Sequence, residues 1–538
     1  MHLPTDDYFT KGFWKNQNIY SYLQKAAEKV PTKIAAVDSF QKLTYEQLNG
    51  YVKQLAGSFK NVGIQKGDVV SFQLPNWMEA IIVHQALSKI GAISNPIIPL
   101  YREKELTYIL NQSKTKLMII PYSFRNFNYL KMLQQLIRSR ELEHLETLVL
   151  IDKYNEEPEL DSSFEIEFNP FLERGAVDNK VEKVNEKNIN LLLYTSGTTS
   201  DPKGVLHSHN TLIHENNTIV ELYRLNNQDT IFMPSPVTHI TGFLYGLELA
   251  FMIEGKVVLQ DIWDPVKAIK LLADEQCTWT VGATPFLKGI VQSINEEQRQ
   301  QLKLKAFACG GADVPPELVR EAAEKLKCCV TRVYGSSEYP TFSACSYEDP
   351  IDKAAHTDGK LFKGSKGRIV NERKEEVPFG EIGELAVQGP EMFLGYLQDK
   401  NNKEAFTEEG YFLTGDLAMI DSEGYIEIKG RKKDIIIRGG ENISVKEIED
   451  ILFTHENIQN VVIVAMPDKE MGEKACAFVV LKEGVQFDFK EMTDFLKKTG
   501  VAKQKLPERL EIIEKMPMTA SGKIQKFVLR ERISQGSK

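Results

Sequence analysis

The stretch LKAFACGGADVPPELVREAAEKLKCCVTRVYG, residues 304–335, constrains the fold more than any other part of the chain. It reads as strand, glycine turn, proline-started helix, strand. Proline suits the first helical turn, where its missing N–H has no partner to lose. The same order occurs earlier. DVVSFQL (68–74) reads as a strand and AISNPIIPL (92–100) as a second extended piece. Between them, PNWMEAIIVHQALSKIG reads as a helix with Asn76 as cap, Glu79 three residues on and Gly91 as stop. Strand–helix–strand order favours a parallel sheet with helices on its faces, so the fold class is α/β.

With 538 residues the chain is long enough for several domains. Residues 152–187, rich in Glu, Asp and Asn, read as a surface excursion or a subdomain junction. From Glu381 the texture changes to short strands with glycine turns, as in GELAVQGP and GYIEIKGRKKD. A compact α/β unit follows. It contains SVKEIEDIL, where Ser444 and Glu447 have capping-box spacing, and the strand-like VVIVAMPD and ACAFVVLKEG. The boundary is expected at Arg431–Lys433. No tandem repeat is visible.

The net charge of −9 argues against non-specific nucleic-acid binding, which needs clustered positive charge. It leaves room for a small anionic ligand held by local donors. The six cysteines include no C-x-x-C pair, which favours reduced thiols over metal ligation. There is no apolar leader at the N-terminus, no run long enough to span a bilayer and no C-terminal sorting signal. A cytoplasmic protein without a transmembrane segment is expected.

LLLYTSGTTSDPKGV (191–205) joins a continuous apolar run to a loop of hydroxyls, glycines and one lysine. Small residues let backbone N–H groups approach an anion closely, and Lys203 adds a point charge. The spacing is not that of a Walker A loop, because the lysine precedes the second glycine. A phosphate ligand is the reading this loop supports, with an ordinary surface loop as the alternative.

Further stretches follow in order: PVTHITG (236–242), ACGGA (308–312), VYGSSE (333–338), YFLTGDLA (411–418), GRKKDIIIRGGENIS (430–444) and MTASGKIQK (518–526). With the 195–204 loop, the set resembles the adenylate-forming superfamily of acyl-CoA synthetases, peptide-synthetase adenylation domains and luciferases. The resemblance covers nearly the whole chain. Departures are Ser200 in place of glycine, Ser337 in place of threonine and Ser444 in place of proline. The resemblance implies a large N-terminal domain, 1–430, of α/β subdomains with a β-barrel-like piece. It implies a hinge at 431–433, with Lys433 at its centre, and a small mobile C-terminal α/β domain, 434–538.

It also implies site residues. Thr195, Ser196, Gly197, Thr198, Thr199 and Lys203 would cradle the ATP phosphates. Tyr334 would lie against adenine, with Gly335, Ser336 and Ser337 beside it. Glu338 would ligate Mg²⁺. Gly310, Gly311 and Ala312 would border the adenine and acyl pockets. Asp416 would take the ribose hydroxyls, supported by Arg431. Lys523 would bridge the substrate carboxylate and the α-phosphate. Gly439, Gly440 and Glu441 would line a CoA tunnel, and His239 would gate thiol entry. The acyl pocket is expected from His239, Phe243, Leu244, Ala283, Thr284, Phe286 and Gly310. These stretches carry no charged side chain against the acyl tail, which favours an apolar acid.

The chain looks most like bacterial short- and medium-chain fatty-acid–CoA ligases using ATP, Mg²⁺ and CoA. Alicyclic and aryl acid ligases are the near alternatives, and an acyl or nucleotide sensor and a luciferase-like oxygenase the distant ones. Because the sequence ends about fifteen residues after Lys523, no fused carrier domain is expected. Homo-oligomerisation is left open.

Overall fold

The computed structural model describes residues 5–160, 164–195, 202–311, 313–438, 441–468, 470–519 and 524–536. Among them the strands form two large sheets, a smaller antiparallel sheet and a C-terminal sheet, besides a short hairpin at 123–128. The first large sheet runs Lys360–Leu361, Ser343–Ala344, Cys329–Tyr334, Ala306–Gly310, Trp279–Gly282, Thr230–Met233, Lys256–Leu259, Ile34–Val37, Lys42–Thr44. Its inner strands are parallel, with Ala306 opposite Cys329 and Trp279 opposite Ala306. The second runs Gly395–Tyr396, Lys203–Ser208, Ile189–Thr195, Ile93–Pro96, Val69–Phe72, Leu117–Pro121, Thr147–Ile151, Glu165–Glu167.

Both strand–helix–strand units read from the sequence form as expected. Val69–Phe72 pairs in parallel with Ile93–Pro96 after the helix Met78–Ile90, which Gly91 ends at φ +74°. Ala306–Gly310, the helix Pro316–Leu326 and Cys329–Tyr334 make the other. Leu191, Leu192 and Leu193 are at most 2% exposed, so their strand is covered on both faces. Each such side chain contributes roughly 1.5–3 kcal/mol relative to exposure.

Two expected caps fail, for one reason. Asn76 does not cap the helix that follows it. Its amide donates to the carbonyls of Met233, Ser235 and Gln260 and its oxygen accepts the Val237 N–H. Asp38, just past the end of the strand Ile34–Val37, accepts the Met78 N–H instead. Glu79, expected beside that cap, pairs with Lys153 at 2.6 Å. Ser444 precedes the helix Val445–Phe453 without capping it, and its hydroxyl donates to the Lys429 carbonyl. The 152–187 excursion also contributes structure. Glu165–Glu167 is an edge strand, and the next helix buries Phe168, Phe171 and Leu172.

The glycine-punctuated region forms the antiparallel sheet Lys366–Val370, Gly383–Gln388, Phe412–Ile420, Ile426–Arg431, where the barrel-like piece was expected. A 3₁₀ turn, Lys432–Asp434, leads from it into the C-terminal unit. There Gly472–Leu481 is the central strand, and Ile458–Asp468 pairs with it antiparallel along its whole length. One face of that sheet packs Ile448, Ile463 and Val479, and the other packs Val462, Phe478 and Leu529. No described helix is long and apolar enough to cross a membrane.

Candidate active site

A cleft of about 1580 Å³ lies between the large sheets, the antiparallel sheet and the C-terminal unit. On one wall, Asp416 and Arg431 stand opposite each other on neighbouring antiparallel strands. Fifteen residues of sequence therefore become one cross-strand pair, with Arg431 Nε 3.1 Å from Asp416 Oδ1. The Tyr334 hydroxyl donates to Asp416 Oδ2 at 2.7 Å. Burial, and then the Asp416 carboxylate, hold this phenol well above its ordinary range, so it stays a donor. Asp416 is 6% exposed, and Arg431 supplies the charge that a carboxylate at such depth requires.

The opposite wall is the hairpin of Ile189–Thr195 and Lys203–Ser208. Thr195 and Lys203 are register partners at its loop end, and both line the cleft. Ser196, Gly197, Thr198 and Thr199 lie outside the described residues. Lys203 Nζ sits 5.0 Å from the centre of the Tyr396 ring. The Tyr396 hydroxyl in turn donates to Glu338 Oε1 at 2.8 Å.

Glu338 follows a tightly wound loop. Ser336 Oγ accepts the N–H groups of Glu338 and Tyr339, and the Phe393 N–H donates to the Glu338 carbonyl. A Cβ at Gly335 would stand 1.9 Å from the Pro340 carbonyl oxygen, so only glycine fits. His207, fully buried, donates Nε2–H to the Ser337 carbonyl at 2.8 Å. Burial pushes this imidazole down to about 4, so it is neutral at physiological pH.

His239 caps the helix Ile240–Leu247, its Nδ1 accepting the Thr241 N–H at 3.4 Å. It lines the cleft, as do Thr284 and Gly311. A Cβ at Gly310 would meet the Val333 carbonyl at 2.2 Å, so close strand packing explains that glycine. Four of the residues expected at the acyl pocket are buried in the core. Phe243 and Leu244 are wholly buried, and Phe243 packs its ring 4.4 Å from that of His84. Phe286 packs against Trp263, and Ala283 belongs to the same core. A helix buried on nearly every side gives no periodic signal for the face that borders a cavity. Ile98, Leu100 and Tyr101, just beyond the strand Ile93–Pro96, line the cleft instead.

The C-terminal unit closes the remaining side. Lys433 lines the cleft from the 3₁₀ turn, and burial, then Arg431, lower its pKa. Lys446 Nζ crosses to Asp313 Oδ1 at 2.8 Å, and Lys288 Nζ donates to the Gln459 carbonyl. Met518 and Ile524 form an antiparallel bridge, and both face the cleft with Thr519 and Gln525. Lys523, Ala312, Gly439 and Gly440 lie outside the described residues. Glu441 opens the strand Glu441–Ile443, opposite Arg438.

Residues 23–397 match the AMP-binding enzyme family, and residues 447–523 match the AMP-binding enzyme C-terminal domain. The chain belongs to the AMP-binding enzyme family. It is similar to the medium-chain fatty-acid–CoA ligase of Escherichia coli, at 37% identity over 98% of this chain and 92% of that one. Among solved structures, ATP-bound MatB from Rhodopseudomonas palustris superposes with a TM-score of 0.87 at 25% identity. That match covers 97% of this chain and all of the other. The apo form of MatB, at 26% identity and the same coverage, gives 0.74.

In this AMP-binding enzyme the structure brings together the described phosphate-loop, YGSSE, ribose-side and hinge candidates around one cleft. Sequence reasoning missed Tyr396, His207 and the Ile98–Tyr101 segment. Only the last had a local signal, an apolar run continuing past Pro96 where the strand ends.

Proposed function

We propose that this chain is an AMP-forming fatty-acid–CoA ligase acting on a medium-chain acid. It would join the acid to the α-phosphate of ATP, release pyrophosphate, and pass the acyl group from AMP to the thiol of CoA. The observation that carries the reading is the single cleft. It runs from Lys203 and Glu338, past the Tyr334–Asp416–Arg431 group, to His239 and Thr284, and is flanked by the residues either side of Lys523. Its volume exceeds the roughly 300–1,000 Å³ of a one-ligand pocket, as two substrates require.

Each residue has a physical task in this reading. Asp416, oriented by Tyr334 and Arg431, accepts from the ribose hydroxyls, and the Tyr334 ring borders adenine. Thr195, Lys203 and the loop between them receive the β- and γ-phosphates. The ammonium of Lys523 offsets the repulsion between the two reacting anions, where positive charge helps most in the transition state. Among the described residues no cluster of three or more His, Cys, Asp or Glu forms a metal cage. The lone carboxylate of Glu338 still suits Mg²⁺, which usually takes one or two carboxylates and completes its shell with phosphate oxygens and water. Mg²⁺ would neutralise phosphate charge there. The turn at 431–433 would let the 434–538 domain rotate, withdrawing Lys523 and bringing the loop of Gly439, Gly440 and Glu441 to the CoA path. Ile98 and Leu100 supply apolar cleft wall, and burial of each CH₂ of an acyl tail is worth about 0.8 kcal/mol.

The test is ATP–pyrophosphate exchange with straight-chain acids of graded length, followed by AMP release on adding CoA. Exchange that requires a medium-chain acid supports the proposal. Absence of acyl-AMP and AMP with every acid would end it.

A further inference from the structure

Glu338 is a single carboxylate asked to hold a cation, so its orientation matters more than in a cage of several ligands. A glutamate has three rotatable bonds and does not keep one orientation unaided. Tyr396 supplies the restraint. Its hydroxyl donates to Glu338 Oε1 at 2.8 Å, across 58 residues of sequence, which fixes the carboxylate at one of its two oxygens. The tyrosine is itself held. Asn402 Oδ1 accepts the Tyr396 N–H at 2.8 Å, and Asn402 Nδ2 donates to the Tyr396 carbonyl at 3.0 Å. The Phe393 ring packs 4.9 Å away, and the residue is 6% exposed.

The same ring faces the other half of the phosphate site. Lys203 Nζ stands 5.0 Å from its centre, within reach of a cation–π contact. The backbones are joined too, since Tyr396 pairs with Val205 and Gly395 with Leu206, two and three residues beyond Lys203. One side chain thus touches both the carboxylate that would take the metal and the lysine that would take the terminal phosphates.

We propose that Tyr396 is a positioning residue that sets the Glu338 carboxylate for Mg²⁺ through its hydroxyl and seats the Lys203 ammonium through its ring. This rests on the nucleotide reading given above. Tyr396→Phe removes the hydroxyl and keeps the ring; Tyr396→Leu removes both. Loss of an outer-shell partner typically costs 10–100-fold in metal affinity.

Binding is measured by Mn²⁺ electron paramagnetic resonance with a non-hydrolysable ATP analogue, and separately by calorimetry with the analogue and no metal. Tyr396→Phe should weaken Mn²⁺ about tenfold or more and leave metal-free nucleotide binding unchanged. Tyr396→Leu should weaken both. Glu338→Gln should lose Mn²⁺ affinity, and adding Tyr396→Phe to it should cost little more. Raising Mg²⁺ should restore exchange activity to Tyr396→Phe. Wild-type Mn²⁺ affinity in Tyr396→Phe, or losses that simply add in the double variant, would overturn the proposal. A wild-type protein that binds no Mn²⁺–analogue complex would overturn the nucleotide reading and this proposal with it.

Discussion

Lys446→Ala severs an ion pair that ties the C-terminal unit to the first large sheet. Lys446 lies in the first turn of the helix Val445–Phe453, its side chain 10% exposed. Its ammonium meets Asp313 Oδ1 at 2.8 Å and Asp450 Oδ1 at 3.3 Å. Burial alone would lower the lysine pKa, but Asp313 and Asp450 outweigh it and hold the ammonium charged. The Asp313 side chain is 59% exposed, so water screens the pair and the discounted worth is about 1 kcal/mol. That corresponds to about fivefold in the ratio of docked to released C-terminal unit. Ser444, through the Lys429 carbonyl, and Lys288, through the Gln459 carbonyl, still connect the parts, so a shift is expected rather than full release.

In the docked arrangement Thr519 and Ile524, the nearest described residues before and after Lys523, line the cleft, so adenylation should depend on docking and thioester formation should not. Lys446→Ala should therefore slow ATP–pyrophosphate exchange by up to about fivefold. It should not slow single-turnover transfer from supplied acyl-adenylate to CoA. Asp313→Asn should act in the same direction, and the two changes together should add little. If the ratio of the half-reaction rates stays at the wild-type value, or both rates fall alike, the pair does not govern docking and the reasoning fails.

Three more outcomes follow from the site. Lys523→Ala should abolish acyl-adenylate formation and largely spare transfer from preformed acyl-adenylate; equal loss in the two assays would contradict its role. Gly335→Ala puts a methyl 1.9 Å from the Pro340 carbonyl oxygen and should open the loop carrying Glu338. Calorimetry with an ATP analogue should show at least tenfold weaker binding, and unchanged affinity would refute the tight-loop argument. His207 is kept neutral in the folded protein down to about pH 4, whereas an unfolded histidine takes its proton near 6.5. The unfolded state binds the extra proton, so this group loses stability as pH falls through that window, about 1.4 kcal/mol per unit. His207→Asn removes the titration. Between pH 6.5 and 5 the wild type should lose about 1.5 kcal/mol more than the variant in urea unfolding, and parallel losses would rule the histidine out as the cause.

The sequence exposed what is carried by local pattern and concealed what is carried by distant contact. Gly91 ends its helix as expected because the left-handed turn there is a local demand. Asn76 had the chemistry of a cap, but Asp38 occupies that role from the loop after Ile34–Val37, and no local rule could assign it. Ser444 shows the same limit, since its hydroxyl serves the Lys429 carbonyl fifteen residues back instead of its own helix. His207 is one of nine histidines and Tyr396 one of nineteen tyrosines. Their partners, Ser337 and Glu338, lie 130 and 58 residues away.

Three of the residues that could be found share a topological address. Thr195, Gly310 and Tyr334 are each the last residue of a strand, in Ile189–Thr195, Ala306–Gly310 and Cys329–Tyr334. The carboxyl ends of parallel strands are where an open α/β sheet presents its loops to a ligand. A strand-like apolar run that stops at a glycine or hydroxyl cluster therefore marks such a site in the sequence itself. Tyr396 reaches the same cleft by another route, on a two-residue antiparallel strand added at the edge of the second large sheet. Gly395–Tyr396 is too short to show a period, and its register is set by Val205 and Leu206, so its approach to Glu338 follows only from the assembled sheet. Asp416 and Arg431 also come from antiparallel strands, but a TGD triplet and a GRKKD stretch mark them in the sequence, whereas nothing local marks Tyr396.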